Sequence, residues 1–139
     1  MLGGITIPHP RGLKGHSDAD AVAHALTDAI LGAANAGNIG QLFPDDDPQW
    51  KDADSMELLR TAHELVRGRG HAVVQADVTV ITEAPRLGPH LAAMSAALAA
   101  RLGLSAGAIS VKAKTNEGMG FIGRGEGLAV IAVATLEAR

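Results

Sequence analysis

The 139-residue chain contains no cysteine, no tyrosine and only three aromatic side chains, Phe43, Trp50 and Phe121. Without thiols there is no disulfide and no thiolate metal site, so any zinc must be held by histidine and carboxylate. The lack of cysteine also suits a reducing compartment. With so few rings, the core has to be assembled from Ala, Leu, Val and Ile, which favours close helix-on-sheet packing and would benefit from extra burial in an oligomer. Positive charge is not in excess: 12 Lys and Arg against 15 Asp and Glu give a formal net charge of −3. That balance speaks against a nucleic-acid partner, which needs a basic surface. No apolar run reaches bilayer-spanning length and the opening Met-Leu-Gly-Gly-Ile does not read as a signal peptide, so the expectation is a cytoplasmic protein without a membrane partner.

What is present is the composition of one soluble domain, 47% hydrophobic and 19% charged. Residues 2–7 read as a short strand closed by Pro8 and Pro10. A helix starting near His16, with Ser17 or Asp18 as its cap, continues through Ala-rich sequence to about Ala36, where Gly37 and Gly40 stop it. Residues 39–43 make one helical turn, and residues 44–53, acidic and Pro-bounded, form a mobile surface loop. Asp54 or Ser55 caps a second helix with Met56, Leu59, Ala62, His63 and Val66 on one face. Residues 71–82 alternate as a strand, a third helix runs from Pro89 to about Leu102, and residues 109–115 and 128–136 are two further strands. The order β-α-α-β-α-β-β predicts an α+β fold, a mixed sheet with helices on one face, broadly a ferredoxin-like sandwich.

Four stretches carry candidate chemistry. In the first, His16, Asp20, His24 and Asp28 recur every four residues, a spacing that lines up imidazoles and carboxylates along one helix face near its N-terminus. Such a ladder can hold a divalent metal or a phosphate; a solvated face of alternating charge is the competing reading. The second is the acidic run Asp45, Asp46 and Asp47, which is either solvated or metal-bound. The third is the loop 82–88 at the end of a strand, whose backbone groups can read a base edge or merely connect elements. The fourth runs from Lys114 through Thr115, Asn116 and Glu117 into a glycine-rich segment ending at Gly127. Its glycine density suits phosphate, but it has neither the Gly-Lys-Ser/Thr of a P-loop nor a dinucleotide fingerprint.

Taken in order, His-Ser-Asp-x-Asp, His-Ala-Leu-x-Asp-Ala, Asn-Ile-Gly-x-Leu-Phe-Pro-Asp-x-Asp, Glu-Ala-Pro-Arg and Lys-Ala-Lys-Thr-Asn-Glu-Gly-Met-Gly-Phe-x-Gly-Arg-Gly-Glu-Gly resemble one family. It is the 2-C-methyl-D-erythritol 2,4-cyclodiphosphate synthases of the non-mevalonate isoprenoid pathway, and the resemblance runs from Gly3 to the C-terminus. It implies cyclisation of 4-diphosphocytidyl-2-C-methyl-D-erythritol 2-phosphate with release of CMP, by a metal-dependent lyase that is a homotrimer with sites between subunits. It further implies His24 as one of three zinc ligands and Glu117 as the protein ligand of Mg2+ or Mn2+. His16 and Thr115 match residues that stabilise the transition state, and Ser17 matches a substrate contact. Asn38, Ile39, Gly40, Phe43, Pro44, Asp45, Asp46 and Asp47 match the positions that hold the erythritol. Thr82, Glu83, Ala84, Pro85, Arg86, Leu87 and Gly88 match the cytidine-binding loop. Lys114, Asn116 and Glu117 fall among the substrate contacts, while Asp20 and Asp28 are expected to orient the site or the helix. Phe121 and Arg124, with Glu126, are placed near the three-fold axis, around a cavity for isoprenoid diphosphates.

The sequence departs from the family pattern in two places. Asn38 stands where the family has Asp, keeping the hydrogen bonding and losing the charge. The family's Asp-x-His, which supplies the other two zinc ligands from a preceding strand, occurs nowhere in this sequence. The expectation is a single cyclodiphosphate-synthase domain, N-terminally truncated, with an incomplete zinc site. Two other functions stay open at this point. One is a trimeric module that binds CDP or isoprenoid diphosphate without turnover; the other is a metal-dependent phosphohydrolase built on the acidic loop.

Overall fold

The computed structural model describes residues 1–8, 20–50 and 53–139. Its main elements are α1 (Ala21–Ala33), α2 (Ile39–Leu42), α3 (Ser55–Gly68), β1 (His71–Ile81), α4 (Leu91–Leu102), β2 (Ile109–Lys114), α5 (Gly120–Gly123) and β3 (Ala129–Ala138). The sheet order is β2-β1-β3, with β1 parallel to β2 and antiparallel to β3. β1 and β2 form a parallel pair because α4 carries the chain back between them. The alternation along β1 turns Ala76, Val78 and Val80 inward, in register with Ile109, Val111 and Ala113 on β2 and with Ala134, Ala132 and Val130 on β3. Onto that face pack α1 against β3, α3 against β1 and α4 against β2. Val22, Leu26 and Ile30 of α1 and Leu59, Ala62 and Val66 of α3 are fully buried there. An α+β fold with a mixed sheet and helices on one face is therefore as expected, and among the described residues that sheet has three strands.

Residues 2–7 do not form the expected strand. Leu2 and Ile5 exchange both backbone hydrogen bonds, at 2.9 and 3.0 Å, across a tight turn in which Gly3 and Gly4 have φ of +57° and +78°. Only glycine adopts two such angles in succession without strain, and a Cβ at Gly3 would also collide with Met94.

The helix boundaries differ as well. α1 begins at Ala21, with Asp20 rather than Ser17 or Asp18 as its N-cap. It ends at Ala33 because Asn35 takes a left-handed φ of +53°, and Gly40 lies inside the next helical turn rather than at a stop. The cap does more than close a helix. Asp20 is 2% exposed; its Oδ1 accepts from the Gly3 N–H at 2.8 Å and the Ala23 N–H at 3.0 Å, and its Oδ2 from the Gly4 N–H at 2.7 Å. One carboxylate thus fastens the amino-terminal turn to the start of α1.

α3 follows its expected limits. Asp54 is its cap, accepting from the Met56 N–H at 3.0 Å, and its apolar face is the predicted one. His63 on that face is 4% exposed, and its Nε2 receives the Val73 N–H at 3.5 Å beside an irregularity in the β1–β3 register. Burial, helped by the Arg67 guanidinium and opposed by Glu64, pushes this imidazole below its ordinary value. Within the acidic loop, Pro48–Trp50 form a 3-10 turn, which is more regular than the composition implied.

Two predictions follow from this packing. Asp20→Ala leaves buried N–H groups without an acceptor and should cost about 3 kcal/mol in urea unfolding, whereas a loss below about 1 kcal/mol would contradict the clamp. For His63 the fold selects the neutral ring. Its contribution is complete above the ordinary value of 6.5 and falls away as pH drops below it, because the unfolded chain takes up the proton first. The slope is at most about 1.4 kcal/mol per pH unit for one proton. Unfolding curves across this range should show a smaller acid loss for His63→Leu than for the parent; equal losses would show that His63 is not the group responsible.

Candidate functional site

The parallel pairing of β1 and β2 puts the carboxyl ends of both strands on the same edge of the sheet. Ile81 pairs with Lys114, and the ladder runs one step further through the Thr82 N–H to the Lys114 carbonyl at 2.9 Å. The loop 82–88 and the segment that begins at Thr115 therefore leave the sheet side by side. The Thr82 hydroxyl, largely buried, donates to the Ala84 carbonyl at 2.7 Å and tightens the first loop; the Ala84-Pro85 peptide is cis, and Leu87 anchors the far side at 2% exposure. Arg86 and Gly88 are exposed beside it.

In the second segment Glu117 and Gly118 have φ of +56° and +74°, two left-handed residues in a row. Thr115 Oγ1 accepts the Glu117 N–H at 3.3 Å, and the Asn116 amide donates to the Met119 carbonyl at 2.8 Å. The Glu117 side chain is exposed. A bond of longer range joins the two loops: Glu83 Oε1 accepts the Gly118 N–H at 2.7 Å. The glycine density that suggested a phosphate cradle has a packing cause at Gly123, where a Cβ would overlap the Gly118 backbone. Part of the segment is the single helical turn α5, which the composition did not reveal. Beyond it, Arg124 pairs with Glu126 at 3.1 Å in solvent, and Phe121 is 52% exposed.

The other candidates lie on α1 and on the chain that follows it. His24 is half-buried, and its Nε2 meets Ser55 Oγ at 2.9 Å. That hydroxyl also accepts the Asp20 N–H, at 3.4 Å. A ligating histidine commonly rests its second ring nitrogen on such a partner, so this contact suits a metal bound through Nδ1. Asp28 Oδ1 accepts the Ile39 N–H at 2.8 Å, holding the one-turn α2 to α1. Asn38 caps that turn reciprocally with Gln41, at 2.9 and 3.0 Å. Asn-x-x-Gln is a capping-box spacing, and it was the available signal for Gln41. Phe43 is buried and stacks edge-on against Trp50, ring centres 4.7 Å apart, which fixes the base of the acidic loop. Asp45 and Asp46 are exposed, whereas Asp47 Oδ1 takes the Gln49 N–H at 3.0 Å.

The four-residue ladder is therefore not one stripe of ligands. Asp20 faces the Gly3 and Gly4 amides, Asp28 serves α2, and His16 and Ser17 lie outside the described residues. Among the described residues no group of three His, Asp or Glu side chains can hold a metal. Ser55, expected only as an alternative cap, emerges instead as the partner of His24.

Known proteins resemble this chain over nearly its whole length. The YgbB family model matches residues 1–137. The chain is 54% identical over 136 residues to the 2-C-methyl-D-erythritol 2,4-cyclodiphosphate synthase of Bordetella pertussis, covering 98% of this chain and 84% of that one. It is 55% identical over 139 residues to the synthase of Laribacter hongkongensis, covering 100% of this chain and 86% of that protein. A solved structure of a 2-C-methyl-D-erythritol 2,4-cyclodiphosphate synthase in its CDP-bound form superposes with a TM-score of 0.88 at 40% identity, over 99% of this chain and 89% of its own. The chain belongs to the YgbB family, that of the 2-C-methyl-D-erythritol 2,4-cyclodiphosphate synthases.

Proposed function

We propose that the chain cyclises 4-diphosphocytidyl-2-C-methyl-D-erythritol 2-phosphate to 2-C-methyl-D-erythritol 2,4-cyclodiphosphate and releases CMP, as a lyase of the non-mevalonate isoprenoid pathway in the cytoplasm. The observation that carries this reading is the joining of loop 82–88 to the turn at Glu117 and Gly118, within a fold that superposes on a CDP-bound synthase. In the reaction an oxygen of the 2-phosphate attacks the β-phosphorus of the same molecule. The bond from that phosphorus to the oxygen bridging the two phosphates breaks, and CMP carries that oxygen away. The nucleophile and the electrophile belong to one substrate, so the protein's task is to position them and to neutralise charge.

The backbone of residues 82–88 is read as the cytosine site. The Thr115 hydroxyl already accepts the Glu117 N–H, so its own proton remains available for a phosphate oxygen. Lys114 and Asn116 flank it. Asn38, Ile39, Gly40 and residues 43–47 are read as the erythritol side, with His16 and Ser17 completing the phosphate contacts. Mg2+ and Mn2+ need only one or two carboxylates when substrate phosphates supply the remaining ligands, and the exposed Glu117 fits that requirement. When bound, such an ion offsets negative charge on the α- and β-phosphates. Zinc fits less well. His24 is suitably backed by Ser55, but a zinc site takes three or four protein ligands and the described residues provide no such set, so no step is assigned to it.

A homotrimer belongs to the same reading. Its support is the outer face of the sheet, where Ile131 and Val133 are 58% and 63% exposed while all three long helices occupy the opposite face. Sites between subunits would bring the α1 side of one protomer to the β1 and β2 loops of the next, with Phe121, Arg124 and Glu126 near the axis. The trimeric module that binds without turnover and the phosphohydrolase gain nothing from the comparisons, whose curated relatives are synthases.

The test is ligand-dependent stability with turnover alongside. CDP at about a hundred times its dissociation constant should stabilise the fold by about 2.7 kcal/mol and raise the melting temperature, and UDP should do so far less. Phosphorus NMR should show cyclic diphosphate and CMP forming from the substrate. A melting temperature that ignores CDP would count against the pocket.

A further inference from the structure

We infer that Glu83 is a positioning residue whose carboxylate, by holding the Gly118 N–H, fixes the turn that presents Glu117 and thereby couples the cytosine loop to the phosphate end of the site. The inference rests on the functional reading above and deepens it: loop 82–88 was expected to act through its backbone, whereas here one of its side chains is engaged with the other loop.

Three observations carry the argument. First, Glu117 sits at φ +56°, a region a residue with a Cβ enters reluctantly, and Gly118 follows at +74°; such a turn persists only where its surroundings hold it. Second, the remaining bonds of the turn are short in range. Thr115 Oγ1 takes the Glu117 N–H at a long 3.3 Å, the Asn116 side chain reaches the Met119 carbonyl, and the Met119 N–H returns to the Asn116 carbonyl at 3.0 Å. These bonds close the turn on itself and do not orient it to the sheet. The Glu83–Gly118 bond does: at 2.7 Å, with an ionised acceptor, it spans 35 residues of sequence. Third, Glu83 is itself held. Its neighbour Thr82 is largely buried, extends the β1–β2 ladder through its N–H and locks the loop through its hydroxyl. The carboxylate is therefore a strut between a fixed point and a strained turn.

A bond between exposed groups often contributes little, because water replaces it readily. Here Glu83 is half-buried and the donor is a backbone N–H in a left-handed residue, so losing the acceptor lets Glu117 relax toward ordinary backbone angles. The consequence is selective. Read as backbone groups of residues 82–88, the cytosine contacts belong to a loop that Thr82 locks independently of the strut and should survive, while interactions with the second phosphate and its divalent ion should weaken.

Calorimetry on the full chain tests this with CMP and with CDP in the presence of Mg2+, using the parent, Glu83→Ala and Glu83→Gln. Glu83→Ala should weaken CDP–Mg2+ binding about tenfold, the loss of one charge-assisted hydrogen bond, and leave CMP binding within about twofold. Glu83→Gln keeps a carbonyl acceptor and should recover most of the affinity. Amide exchange at Gly118 should speed up in Glu83→Ala and stay slow in Glu83→Gln. Undiminished CDP–Mg2+ binding in Glu83→Ala, or equal loss of CMP and CDP binding, would overturn the inference, as would a Gln variant no better than Ala. A parent chain that binds neither nucleotide would instead overturn the functional reading, and this inference with it.

Discussion

The parallel pairing of β1 with β2 is the constraint on which the candidate site depends. Antiparallel neighbours would send the loops after Ile81 and Lys114 to opposite edges of the sheet; parallel ones must release them together. α4 makes the pairing possible by carrying the chain back across the face, with Met94, Leu98 and Leu102 buried against the sheet. The left-handed Gly103, φ +72°, ends it cleanly so that Ile109 can begin β2 in register with Ala76. Every later feature of the site edge, from the Thr82 ladder bond to the Glu83 strut, uses this adjacency.

The second organising group is Asp20. Its carboxylate ties the turn at Gly3 and Gly4 to the first helix through three backbone donors. Ser55 then connects the Asp20 backbone and the His24 ring, so α1 and α3 meet through polar contacts at the end where His24 is presented. The polar groups of α1 are therefore divided among separate partners: Asp20 holds the amino-terminal turn, His24 meets Ser55 and Asp28 holds α2. That division separates the structure from the single metal stripe the spacing suggested.

Much of this was legible in the sequence and some of it could not be. The burial face of α3 and the strands β1 and β2 follow from local periodicity and stand where expected, and of the two caps local chemistry offers for α3, Asp54 and Ser55, the first is used. The failures have a common cause. Residues 2–7 look like a strand by propensity, but Gly3 and Gly4 take angles that only their contacts with Asp20 and Met94 explain. Local sequence points to Ser17 or Asp18 as the cap of α1 because two of Asp20's partners lie 16 and 17 residues away. The Glu83–Gly118 bond spans 35 residues, and no spacing rule finds it. The family motifs single out the loops at 82–88 and 114–127 as candidates, because motif order survives without knowledge of contacts; which side chains hold those loops together comes from the structure.

The central claim is that the loops at the ends of β1 and β2 act as one nucleotide-binding unit. A CDP titration of the isotopically labelled chain, followed amide by amide, tests it most directly. The account predicts that amides in residues 82–88 and 115–118 shift together along one binding curve. Shifts confined to one loop, or two loops responding at different CDP concentrations, would contradict it.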